Sequence, residues 1–177
     1  TQCGGNRMPV SITAYYGAQL FGVTARVGSH WRLSCDQCMT KSYINDELYF
    51  IWSKGDGSQH YFRKPNSSAA YYEDLSGLSL KLTDNGTYTE IEDKGGTVMR
   101  FESPQDALDD TGRLLSITDS CGNTNTFQYG DWRLERITDG AGRVTQFIYT
   151  NNMLSGILAP GETAPVTLEY YNNMRLN

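Results

Sequence analysis

The chain has 177 residues, of which 38% are hydrophobic, 20% charged and 12% aromatic, and 20 acidic against 15 basic residues leave a formal net charge of -5. That length is one domain's worth of chain with a sizeable core, and the aromatic content excludes intrinsic disorder, which needs few aromatics and high net charge. Interspersed charges without a basic cluster exclude a general nucleic-acid binder, and apolar runs such as Leu48-Tyr49-Phe50-Ile51-Trp52 fall far short of the roughly 20 residues of a membrane-spanning helix.

The chain opens at Thr1 without Met or a signal-peptide pattern, so it is expected to be processed or cut from something longer. Tyr15-Tyr16, like Tyr71-Tyr72 and Tyr170-Tyr171 further on, is an adjacent aromatic pair, and in a strand one member of each pair faces each way. Tyr16 and Tyr72 are the candidate ligand-contact aromatics; the competing reading is that such rings pair across strands.

Cys35-Asp36-Gln37-Cys38 has the two-residue spacing of redox and zinc motifs. A second knuckle and a βαβ context are missing, and strand geometry sets Cys35 and Cys38 on opposite faces. Four cysteines, Cys3 and Cys121 included, allow three pairings, and free buried thiols stay open beside disulfides. No cofactor and no metal site are assigned.

His30 and His60 each stand beside an aromatic, and no Gly-x-Ser-x-Gly elbow supplies a nucleophile. Glu73-Asp74, Glu90-Ile91-Glu92-Asp93 and Asp106 to Asp110 are carboxylate clusters. A glycoside hydrolase needs two carboxylates across a cleft, but these read as solvated loop groups, so no residue is nominated as catalytic. Asp84-Asn85-Gly86 lacks the calcium-loop spacing and reads as a hairpin turn.

Tyr is the commonest aromatic, with 12 copies, which suits strands. Thr87-Tyr88-Thr89-Glu90-Ile91, Thr97-Val98-Met99-Arg100-Phe101 and Thr124-Asn125-Thr126-Phe127-Gln128-Tyr129 alternate as half-buried strands do. Asp56-Gly57, Asn85-Gly86 and Asp139-Gly140 are positive-φ turn dipeptides, with Gly95-Gly96 and Cys121-Gly122-Asn123 in similar roles. The expected fold is all-β, an antiparallel meander of short strands and hairpin repeats.

The C-terminal third repeats. Leu114, Leu134 and Leu154 recur at a step of 20 residues, as do Ile117, Ile137 and Ile157, Gly122 and Gly142, Phe127 and Phe147, and Tyr129 and Tyr149. Thr118-Asp119 returns as Thr138-Asp139, and Asn151-Asn152-Met153 returns at 21 residues as Asn172-Asn173-Met174. Each unit reads as one hairpin, marginal alone and stable by stacking on its neighbours. The Asp residues of the units, Asp119 and Asp139, read as turn formers.

The run Gly112-Arg113-Leu114-Leu115-Ser116-Ile117-Thr118-Asp119, then Gly122-Asn123 and Phe127-Gln128-Tyr129, with its second copy from Asp131 to Tyr149, resembles the YD repeat of RHS-repeat proteins. Upstream, an opening strand expected at Met8-Pro9-Val10-Ser11-Ile12, the aromatic Tyr15-Tyr16, Gly28-Ser29-His30-Trp31-Arg32-Leu33-Ser34 and Gly55-Asp56-Gly57-Ser58-Gln59-His60-Tyr61-Phe62 are similar to what precedes such repeats. Gly28-Ser29-His30-Trp31 departs from the more usual Gly-x-Gly-Trp.

The resemblance implies a β-ribbon spiralling into a shell, as in secreted bacterial toxins, Tc-toxin cocoons and teneurin adhesion proteins. It divides the chain into a β-rich lead-in over 1–103, a joint over 104–111 and hairpin repeats over 112–177. The expected function is a non-enzymatic structural segment of a secreted or cell-surface protein that encapsulates or displays a C-terminal toxin domain. Its partners are the remaining repeats and that domain, with glycans or surface proteins as further partners and no nucleic acid. An adhesion or carbohydrate-binding module is the alternative, and a glycoside hydrolase fragment the more distant one.

Overall fold

The computed structural model describes residues 7–18, 20, 22–105, 110–171 and 175–176. Cys3, the acidic residues at 106, 109 and the Asn172-Asn173-Met174 echo lie outside them. Among the described residues every strand pairing is antiparallel and the fold is all-β. No helix is long and apolar enough to cross a membrane.

The strands in chain order are β1 (Ala14–Tyr16), β2 (Trp31–Leu33), β3 (Cys38–Ile44), β4 (Glu47–Ser53), β5 (Gln59–Arg63), β6 (Tyr72–Asp74), β7 (Lys81–Asp84), β8 (Tyr88–Glu92) and β9 (Val98–Glu102). There follow β10 (Thr111–Thr118), β11 (Thr124–Gly130), β12 (Arg133–Thr138), β13 (Val144–Thr150), β14 (Met153–Leu158), β15 (Val166–Thr167), β16 (Tyr170–Tyr171) and β17 (Arg175–Leu176). Residues 8–12, expected as an opening strand, form none, Pro9 having no amide to give a ladder, and the first strand begins at Ala14. The strands belong to two compact units. One is made of 37–54 and 58–122, the other of 1–36, 55–57 and 123–177, so residues of the expected lead-in occur in both.

The first of these units is a closed barrel of eight strands, β3 to β10, each paired with the next. β10 closes it by using both ends: Thr111 to Arg113 pair with β3, and Leu114 to Thr118 pair with β9. Residues opposite one another in register share a face, so Met39 with Trp52, Phe50 with Phe62, Leu82 with Ile91, and Phe101 with both Thr89 and Leu114 point the same way. Met39, Phe50, Phe62, Leu82, Ile91, Phe101 and Leu114 have no exposed surface. An eight-stranded barrel is just wide enough for side chains to fill, and these fill it.

Turn chemistry sets the register. Asn45 and Asp46, both at positive φ, make the tight turn between β3 and β4. Gly86 follows at φ 89°, with Asn85 Oδ1 accepting from the Thr87 and Tyr88 amides. This is the hairpin turn expected of Asp84-Asn85-Gly86.

In the other unit β11 to β15 form successive hairpins. In Asp139-Gly140-Ala141-Gly142 the positive φ falls on Gly142, at 78°, and not on Gly140 as the dipeptide rule suggests. The reason is Asp139: its Oδ1 accepts from the amides of Ala141 and Arg143, and its carbonyl accepts from Gly142. That four-residue turn puts the left-handed residue at its end. A similar substitution explains Gly28-Ser29-His30-Trp31, where His30 itself takes φ 69°. Its Nδ1 lies 2.8 Å from the Ala18 carbonyl, and its own carbonyl accepts from the Gly17 amide.

Candidate functional site

The spacing Leu-x-x-Ile is odd for a strand, because alternation would send positions three apart to opposite faces. A β-bulge resolves it. β12 slips register against β11 so that Gln128 faces Arg136 while Tyr129 faces Leu134, leaving Glu135 as the extra residue. Phe127 and Tyr129 are two apart, so their partners Ile137 and Leu134 lie on one face, and both are buried. The same slip leaves out Ser155 between β13 and β14, and Leu115 between β9 and β10. Bulges therefore recur at the 20-residue step of the sequence.

A bulge also frees backbone groups. The Leu134 amide donates to the Thr24 carbonyl at 3.0 Å, and the Leu154 amide donates to the Arg26 carbonyl at 2.9 Å. Residues 22–27 thus run as a strap across successive hairpins, gaining two residues per repeat. Its Thr24, Ala25 and Val27 are buried. The chain bends tightly before it: a Cβ at Gly22 would lie 2.2 Å from the Ala25 carbonyl oxygen, so only glycine fits.

The strap is anchored by Asp36, whose side chain is 0% exposed. Its Oδ2 accepts from the Val23 amide at 2.7 Å, and its Oδ1 from the Thr24 amide and hydroxyl, each at 2.8 Å. Arg32 Nε donates to the Asp36 carbonyl at 2.8 Å and lies 3.8 Å from Oδ2. Burial pushes the carboxyl above its usual range, against Arg32 and the Thr24 and Val23 donors.

The repeat tyrosines add a second recurring contact. Tyr149 donates its hydroxyl to the Leu134 carbonyl at 2.8 Å, and Tyr170 donates to the Leu154 carbonyl at 2.5 Å. Each Tyr thus reaches back to the bulged leucine of the preceding hairpin. Burial pushes the Tyr170 phenol up to about 12, so it stays a donor at all ordinary pH. Arg133 covers the Tyr149 and Trp132 rings, and Arg26 of the strap covers Trp132 from 4.8 Å.

The expected repeat positions distribute as follows. Leu134, Ile137, Phe127, Phe147 and Leu154 are buried, while Ile157 and Tyr149 are half-buried. Gly122 and Gly142 hold positive φ in equivalent turns. Leu114 and Ile117 lie in β10 of the barrel, against Phe101 and Met99, and Tyr129 faces Leu134. Of the candidate ligand-contact aromatics, Tyr16 is 69% exposed beside Trp31, at 5.2 Å between ring centres. Tyr72 is only 9% exposed, with its ring edge against Phe50.

Cys35 is a buried free thiol, Cys38 is buried too, and burial followed by the nearby Asp36 charge pushes the Cys35 thiol up. Cys121 is disulfide-bonded. His60 stacks on Trp52 and lies 2.8 Å from Ser76 Oγ, whose hydroxyl donates to Asp74 Oδ1. With that proton given to the carboxylate, the Ser76 oxygen is left to accept from His60 Nδ1. The order Asp, Ser, His is not that of a nucleophilic triad, in which the imidazole stands between the other two. Among the described residues no three His, Cys, Asp or Glu side chains cluster as metal ligands.

The strap and its Asp36 anchor escaped sequence reading. The one signal for them is Leu-x-x-Ile itself, since two apolar residues three apart in a strand require a bulge, and a bulged amide requires an acceptor. No family model matches the chain, and no curated protein matches it.

Proposed function

We propose that the chain is a non-enzymatic structural segment of a secreted or cell-surface protein of the RHS/YD-repeat kind, its hairpins forming β-shell wall that encloses or displays a C-terminal domain. The observation that carries this reading is the recurrence of one contact set at the 20-residue step: bulge, leucine amide to strap, tyrosine hydroxyl to the preceding leucine carbonyl. Contacts that recur from one hairpin to the next, with a strap running alongside, suit a ribbon that extends by adding hairpins. Wall is what such a ribbon builds.

Two further observations support it. The disulfide at Cys121 fits an oxidising compartment outside the cell. The His60, Ser76 and Asp74 hydrogen bonds run in an order that leaves the hydroxyl bound to a carboxylate, which favours a structural role for this group over hydrolysis.

Native mass spectrometry of the assembly purified from its own source tests the proposal. A mass far above 19.8 kDa, from a longer chain or retained fragments, is expected. A lone stable particle of 19.8 kDa would overturn it.

A further inference from the structure

At one end of the barrel the start of β4, the end of β5, the start of β6 and the loop at 64–67 surround a cleft of about 580 Å³. Glu47, Leu48, Arg63, Lys64, Asn66 and Tyr72 are among its lining residues. That volume is within the range of small-molecule sites, which favour the mouths of β-barrels.

The cleft's polar groups divide unevenly between donors and acceptors. Its carboxylate, Glu47, is already engaged by Arg63 Nη1 at 3.1 Å and by the Tyr49 hydroxyl at 3.3 Å. Asn66 turns its Oδ1 to the Ser68 amide and hydroxyl, which leaves the NH2 end outward. Lys64 makes no ion pair among the described residues, and its Nζ sits 5.5 Å from the centre of the Tyr72 ring. Tyr72 is nine-tenths buried and lines the cleft, and its hydroxyl has no hydrogen-bond partner among the described residues. Burial, then the neighbouring Asp84, pushes that phenol up, so it stays protonated and able to donate.

We infer that this barrel-mouth cleft is a binding site for a small anionic, acceptor-rich solute, with Lys64 and the Tyr72 hydroxyl as its two principal contacts. Lys64 supplies the unpaired charge, and Tyr72 supplies a fixed donor held by its packing on Phe50. Asn66 and Ser67 stand on the same loop as further donors. A carboxylate and a phosphate share the chemistry this arrangement recognises. The site stands independently of the shell proposal, because it uses the barrel alone.

The test is titration of the isotope-labelled full chain, followed by backbone amide shifts of residues 64–67. The probes are galacturonate and glucose 6-phosphate, with galactose and glucose as neutral controls. Saturable shifts with at least one anion are expected, weakened at least fivefold in both Lys64→Ala and Tyr72→Phe. Tyr72→Phe keeps the ring on Phe50, and unchanged thermal unfolding of each variant establishes that the fold is intact. The better-bound anion identifies the source as carboxylated or phosphorylated. No saturable shift with either anion, equal shifts with the neutral sugars, or wild-type binding by either variant would overturn the assignment.

Discussion

Asp36 gathers the strap's polar contacts on one buried carboxylate. Three donors from the strap converge on its two oxygens in a buried site. Asp36→Ala would orphan the Val23 and Thr24 amides and the Thr24 hydroxyl together, and loss of a buried charge partner costs about 3–5 kcal/mol. Urea unfolding should show that loss, with the transition of the repeat hairpins moving most. Gly142 makes a smaller and cleaner case. A Cβ there meets nothing within 4 Å, so Gly142→Ala tests backbone strain alone, and φ 78° should cost about 1–2 kcal/mol. A thermal midpoint unchanged from wild type would contradict the turn geometry.

Among the elements, the hairpin is where sequence and structure meet most closely. Alternation in Thr124 to Tyr129, the 20-residue step and the Asp turns at 119 and 139 were all legible, because each depends on side chains within a few residues. The faces were less so: strict alternation separates Leu134 from Ile137, and only the bulge at Glu135 reunites them. Ile137→Asp buries an unpaired charge at a site 1% exposed, and should abolish cooperative unfolding of the hairpins. Retention of a normal melt in that variant would refute the shared buried face. Tyr149→Phe removes the hydroxyl's bond to the Leu134 carbonyl and its longer one, at 3.4 Å, to the Thr24 carbonyl, and should cost about 1–2 kcal/mol, read as a lower urea midpoint.

At the scale of the molecule, barrel closure was not legible, because it depends on β10 leaving β3 for β9 partway along its length. No local pattern encodes that change of partner. Nor did sequence show that Tyr72 is buried where Tyr16 is exposed, since an adjacent pair looks the same at both places.

The carboxylates give the whole fold a pH dependence. Burial raises Asp74, Glu102 and Asp139, but hydrogen bonds outweigh it: from Ser76 and Leu78, from Arg113, and from Arg143 and Ala141 respectively. Asp93 is lowered chiefly by the Thr97 amide. A carboxylate lowered by folding adds stability above its unfolded value, and that stability is lost as pH falls through the folded value. Asp36, raised, acts in the opposite sense. Four lowered groups against one predict a falling urea midpoint below about pH 4, the ordinary carboxylate value, with a shallower fall in Asp139→Asn.

Electron cryomicroscopy of the assembly purified from its own source tests the proposed wall directly. The account predicts further hairpins continuing the ribbon beyond β14 and β15, one about every 10 Å from two strand spacings, around a space that holds or displays another domain. A map in which the sheet stops at β15 and encloses nothing would contradict it.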